Sequence, residues 1–75
     1  MPSELKGDWR QAEQAAARYS STGDLAALDL SIAAWERILR SPEFEKAPQR
    51  FRATVKKADE RFEAHLERLK GEERR

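Results

Sequence analysis

The chain has no cysteine, only three glycines and three prolines among its 75 residues, and no long apolar run. Each absence excludes something. Without cysteine there is neither a disulfide framework nor a thiolate zinc site, so a small core must hold without covalent or metal reinforcement. Few glycines and prolines leave little room for a β-rich or loop-rich fold. No segment approaches the roughly 18 consecutive apolar residues that a membrane-spanning helix needs. The stretch Met1-Pro2-Ser3-Glu4-Leu5-Lys6 lacks the apolar centre of a signal peptide. We expect one small domain over residues 1–75, placed in the cytoplasm, since absence of cysteine suits a reducing compartment.

A large charge of one sign is also missing: the formal net charge is +1 although 39% of residues are charged. Residues 1–40 hold five Lys/Arg against six Asp/Glu, and residues 41–75 hold ten against eight. Neither half is the concentrated basic footprint that announces nucleic acid.

What is present is helical periodicity. Trp9, Ala12, Ala16 and Tyr19 recur at spacings that put them on one face of a first helix over about 8–21. Asp8 and Gln11 look like the two ends of a capping box at its start. Ser20-Ser21-Thr22-Gly23 breaks that helix, with Gly23 suited to a left-handed position, and Asp24 caps a second helix over 24–40. Its seam is Leu25, Leu28, Ile32, Trp35 and Leu39, widened by Ser31, Ala34 and Ile38, while Leu30 points away. Ser41-Pro42 ends it and starts a short turn, since proline fits the first position of a helix but not its interior. Pro48 marks the next boundary. A third long helix over 47–70 then carries Phe51, Val55, Ala58, Phe62, His65/Leu66 and Leu69, with residues 71–75 frayed. The expected fold is all-α: an antiparallel helix-turn-helix unit plus a long third helix as a cap.

The residues Arg18-Tyr19, Thr22-Gly23-Asp24-Leu25, Leu28-Asp29, Ser31-Ile32, Trp35-Glu36-Arg37 and Pro42 resemble a tetratricopeptide repeat in its longer-turned form. The likeness covers roughly residues 9–42, and Arg61-Phe62-Glu63 resembles the start of a second unit. Small Ala16 and Ser31 fall where the family's two helices cross most closely. Asp59 departs from the pattern, standing where the second unit should have a small residue, Ile38 replaces the usual alanine, and no second Gly-Asp turn follows Phe62. The resemblance implies a module that binds protein or peptide. It also implies groove-facing residues Arg10, Glu13, Ala17, Lys56, Glu60 and Glu63. Repeats of this kind usually need about three units to bury a continuous core, so self-association into a homo-oligomer, or membership of a longer array, is expected.

Chemistry-bearing patterns are sparse. His65 is the only histidine, so no metal site is expected, and it reads as a packing or boundary residue. There is no Gly-rich phosphate loop and no nucleophile elbow, so neither an enzyme nor a cofactor is expected. Trp9, Trp35, Tyr19, Phe51 and Phe62 sit at seam positions and read as core, which leaves Phe44 as the aromatic expected to be exposed. Arg50, Lys57, Arg61 and Arg68 form a basic stripe on the third helix, with Glu60, Glu63 and Glu67 toward the opposite flank. The stripe reads first as ion pairing with Asp29 and Glu36 of the second helix, or simply as a solvated face. The sharper reading is a site for an acidic partner or a phosphate backbone. In the latter form the chain is a basic-flanked helical protein that binds nucleic acid, the alternative to a protein-interaction module.

Overall fold

In the computed structural model, which describes residues 3–73, the protein is all-α. A 3₁₀ turn at Ser3–Leu5 leads into α1 (Lys6–Thr22), followed by α2 (Leu25–Arg40), the single turn α3 (Pro42–Glu45) and the long α4 (Gln49–Glu73).

The corner between α1 and α2 is built as its sequence requires. Gly23 takes φ 72° and donates its N–H to the Tyr19 carbonyl at 2.8 Å, closing α1 in the left-handed region that glycine enters without a Cβ penalty. Asp24 then accepts from the Ala26 N–H at 3.0 Å, satisfying one of the free donors of α2. Two helices joined so tightly must run antiparallel, and the cross-contacts agree. Arg37 reaches Asp8 and Gln11 at one end, and Ser31 meets Ala12 further along. The second turn works the same way: the Ser41 side chain accepts from the Glu43 N–H at 3.3 Å, and Pro42 occupies the first helical position of α3.

α4 runs alongside α1 in the same direction, since Trp9 stacks near Phe51 (ring centroids 5.2 Å apart) and Tyr19 meets His65. It is therefore antiparallel to α2. The core is a cluster of Leu5, Ala12, Ala34, Trp35, Ile38, Phe44 and Val55, flanked by half-buried Trp9, Leu39, Phe51, Ala58 and Phe62. Trp9 and Trp35 meet edge to face at 5.0 Å, a favoured aromatic arrangement. Ala12 is fully buried, as are Leu28, Ser31 and Ala34 facing the α1–α2 crossing, so the two backbones approach closely there.

Several expectations are corrected. α1 begins at Lys6, not near Asp8, and no side chain caps it. The pair read as a capping box serves a different purpose: Arg37 donates through Nε to Asp8 at 3.0 Å and through a terminal nitrogen to Gln11 at 2.8 Å, clamping α2 to α1. Phe44 is buried, not exposed, because the α3 turn folds its ring into the same cluster as Leu5. Leu25 is 39% exposed although its spacing puts it on the seam, whereas Ser31, Ala34 and Ile38, on the shoulder by spacing, are fully buried. The buried face of α2 is thus rotated toward those three. The close crossing falls at Ala12, with Ala16 only half-buried. Finally, α4 continues through Gly71 to Glu73 instead of fraying after Lys70, since no proline follows and an exposed glycine costs a helix only about 1 kcal/mol. Arg74 and Arg75 lie outside the described residues.

Candidate interaction surface

The flank of α4 that faces α2 changes charge along its length, and the change begins in its sequence. Arg52, Lys56, Asp59 and Glu63 fall at helical spacing along the flank that faces α2. At the end of α2, Leu39, Arg40, Ser41, Pro42, Phe44 and Glu45 join Arg52 and Lys56 around an open concavity of about 630 Å³. Three cationic side chains stand on its rim against one carboxylate. Arg52 Nε is shielded from solvent and has no hydrogen-bond partner, an orphaned cationic donor of the sort that an anion satisfies. Arg52 and Lys56 make no ion pair among the described residues.

One turn further along the same flank the sign reverses. Glu36 on α2 and Asp59 and Glu63 on α4 bring carboxylate oxygens within 4.8 Å of one another. Asp59 is only 9% exposed, and its Oδ1 is buried without a partner. Burial raises the Asp59 carboxyl above the ordinary carboxylate range, and the Glu36 and Glu60 charges raise it further. Glu63 is raised chiefly by a hydrogen bond with Glu36, then by the Asp59 charge. The pairing expected between the α4 basic stripe and Glu36 is therefore overturned. Glu36 faces acids across the interface, and its ion pair is with Arg40 on its own helix at 3.7 Å. Asp29 enters no ion pair among the described residues.

The residues singled out from sequence are distributed over several surfaces. Arg10 and Glu13 share a shallow concavity of about 380 Å³ on α1 with Lys6, Trp9 and Gln14. Ala17 is exposed on the same helix. Lys56 belongs to the basic concavity on the α2 side, Glu63 to the acidic cluster, and Glu60 is exposed nearby on α4. Of the basic stripe, Arg61 and Arg68 flank a hollow of about 270 Å³ with Tyr19, Ser20, Phe62 and His65. Arg50 and Lys57 are exposed. In that hollow the Tyr19 hydroxyl and His65 Nε2 are hydrogen-bonded at 2.6 Å, so His65 pins α4 to α1.

Sequence reading missed Arg40, Arg52, Glu36 and Asp59 as members of one surface. The available signal was the spacing of Arg52, Lys56, Asp59 and Glu63, but periodicity does not say which flank of α4 faces α2. Compared with family models, curated proteins and solved structures, the chain matches none. No helix among the described residues is long and apolar enough to cross a membrane.

Proposed function

We infer that the protein is a non-enzymatic, tetratricopeptide-like interaction module, working in the cytoplasm, that receives an acidic protein segment. The observation that carries this is the concavity rimmed by Arg40, Arg52 and Lys56 over Leu39, Pro42 and Phe44. Such a site combines charge with a partly apolar lining, which suits a peptide carrying carboxylates beside an apolar side chain. Support also comes from the helix-turn-helix packing that the repeat resemblance implies. The receiving surface, however, lies between α2, α3 and α4, and Lys56 is the one groove-facing residue taken from the resemblance that lines it.

The test is anisotropy of a labelled peptide of alternating Glu and Leu. Binding is expected at low salt, weakening as salt screens the exposed charges. The double variant Arg52→Glu/Lys56→Glu should weaken it by at least about tenfold while helicity is unchanged. Equal binding by the variant would remove the reading.

A second reading has its own observation. Arg61 and Arg68, beside Tyr19, Ser20 and His65, form a hollow that suits a phosphate of a nucleic-acid backbone. It requires binding of a labelled oligonucleotide that falls steeply with salt and is lost in Arg61→Glu/Arg68→Glu.

A further inference from the structure

The α2–α4 interface sets like charge against like. Where Glu36 faces Asp59 and Glu63, three carboxylates lie within 4.8 Å of one another. About one helical turn away, Arg40 shares a concavity with Arg52 and Lys56. The only described ion pair joining the two ends is Arg40–Glu36 at 3.7 Å, and Arg40 is 81% exposed there. Such a pair contributes little. Both ends carry a buried orphan: Asp59 Oδ1, on a residue nine-tenths buried and set among the other carboxylates, and Arg52 Nε. Like charges so placed repel, and each orphan asks for an outside partner of the opposite sign.

A cation would satisfy one end and an anion the other. A single occupant satisfies both if it carries the same strip reversed. A second copy of this chain does. We propose that two copies associate about a two-fold axis lying across the α2–α4 seam. The Glu36/Asp59/Glu63 end of each copy then meets the Arg40/Arg52/Lys56 end of the other. A two-fold interface is self-complementary by construction, so every cross-pair occurs twice. Charge complementarity of this kind fixes register and suppresses other arrangements. Glu63, Arg40 and Lys56 are exposed and make the direct pairs, and Asp59 gains a cation at its mouth. The inference deepens the proposed function, since it names the acidic segment that the basic concavity receives.

The experiment uses full-length chains with reversed ends. One variant, Arg52→Glu/Lys56→Glu, turns the basic end mainly acidic and leaves only Arg40 positive there. The other, Glu36→Lys/Glu63→Lys, turns the acidic end mainly basic and leaves only the Asp59 carboxyl there. Asp59 is left untouched because it is buried. Sedimentation across a dilution series at low salt is expected to show the natural chain passing from monomer, 8.7 kDa, to twice that mass. Each variant alone should associate at least about tenfold more weakly. An equimolar mixture of the two should restore a two-chain species at least as stable as the natural one. Circular dichroism checks that each variant keeps its helices; for one that does not, Lys56→Gln or Glu63→Gln replaces it and is expected to weaken association in the same direction. A natural chain that stays monomeric, or variants that fail to find each other when mixed, overturns the proposal. If the Glu/Leu peptide still binds under those conditions, the interaction reading stands and only the self-partner is wrong. Association unaffected by either charge reversal would place any dimer elsewhere and equally overturn it.

Discussion

The Ser31 hydroxyl donates to the Ala12 carbonyl at 2.9 Å, between two residues that are both fully buried. This bond sits where α1 and α2 cross, and it exists because both side chains are small enough to bring the backbones together. Replacing Ser31 by Ala keeps the close approach and removes one hydrogen bond whose acceptor remains inside a helix. The expected cost is about 1 kcal/mol. Ser31→Val adds volume to a site with no room and should cost more, about 1–3 kcal/mol. Urea unfolding of the two variants checks the order, and a Val variant as stable as Ala would mean that the crossing is loose.

The corner at Gly23 is a matter of backbone alone. A Cβ placed there would meet nothing within 4 Å, yet φ is +72°. Gly23→Ala is therefore expected to cost about 1–2 kcal/mol through the left-handed conformation, and Gly23→Asn less, since asparagine tolerates that region better. Thermal melts of Ala, Asn and Val variants should rank Asn, then Ala, then Val in falling stability. A different order would mean that side-chain contacts decide the corner.

Both turns, at Gly23-Asp24 and at Ser41-Pro42, are legible in the sequence because their signals are local. Gly23, Asp24, Ser41 and Pro42 each dictate a backbone state from within two or three residues, and all four act as expected. Asp8 and Gln11 show the limit of such reasoning. Their spacing suits a cap, but Arg37, 29 and 26 residues away, claims them both. Leu30 faces outward as its spacing predicts and is 54% exposed, whereas a rotation of the buried face of α2 leaves Leu25 39% exposed. Asp59 stands out in the sequence as a misfit, but its company of Glu36 and Glu63 depends on how α4 is turned against α2, which no local signal encodes.

Phe44 ties the single turn α3 to the core. It is 6% exposed, and Leu5, which precedes α1, is 2% exposed in the same cluster. Truncating either should be costly: about 3–5 kcal/mol for Phe44→Ala and about 2–5 for Leu5→Ala. A domain this small has only several kcal/mol in all, so both variants should be largely unfolded at 37 °C by circular dichroism. A folded Phe44→Ala would mean that α3 is not part of the core.

The Tyr19–His65 bond, at 2.6 Å, ties α4 to α1 at the end away from Trp9 and Phe51. Tyr19→Phe removes the hydroxyl and should cost about 0.5–1.5 kcal/mol. His65→Leu on its own and combined with Tyr19→Phe completes a double-mutant cycle, in which a coupling above about 0.5 kcal/mol is expected for groups in direct contact. Additive effects would mean that the bond carries no stability.

The acidic cluster fixes the sign of a pH effect. Asp59 is raised above its ordinary 3.8 by burial, then by Glu36 and Glu60, and Glu63 above its ordinary 4.5 by its hydrogen bond with Glu36, then by Asp59. The folded chain therefore holds these protons more tightly than the unfolded chain does. Their contribution to stability is fully present below about pH 4 and is lost as pH rises through the raised values, because ionisation forces like charges together. Asp59→Asn cannot ionise, and its amide can donate to the neighbouring carboxylates. In dilute solution, where chains are apart, Asp59→Asn should melt above the natural protein at pH 7, and the advantage should shrink steadily toward pH 4. Glu63→Gln should follow the same trend. Calorimetry over a pH series reads it directly. An Asp59→Asn variant less stable at neutral pH, or one whose difference from the natural chain does not change with pH, would show that the three carboxylates do not repel one another in the folded protein.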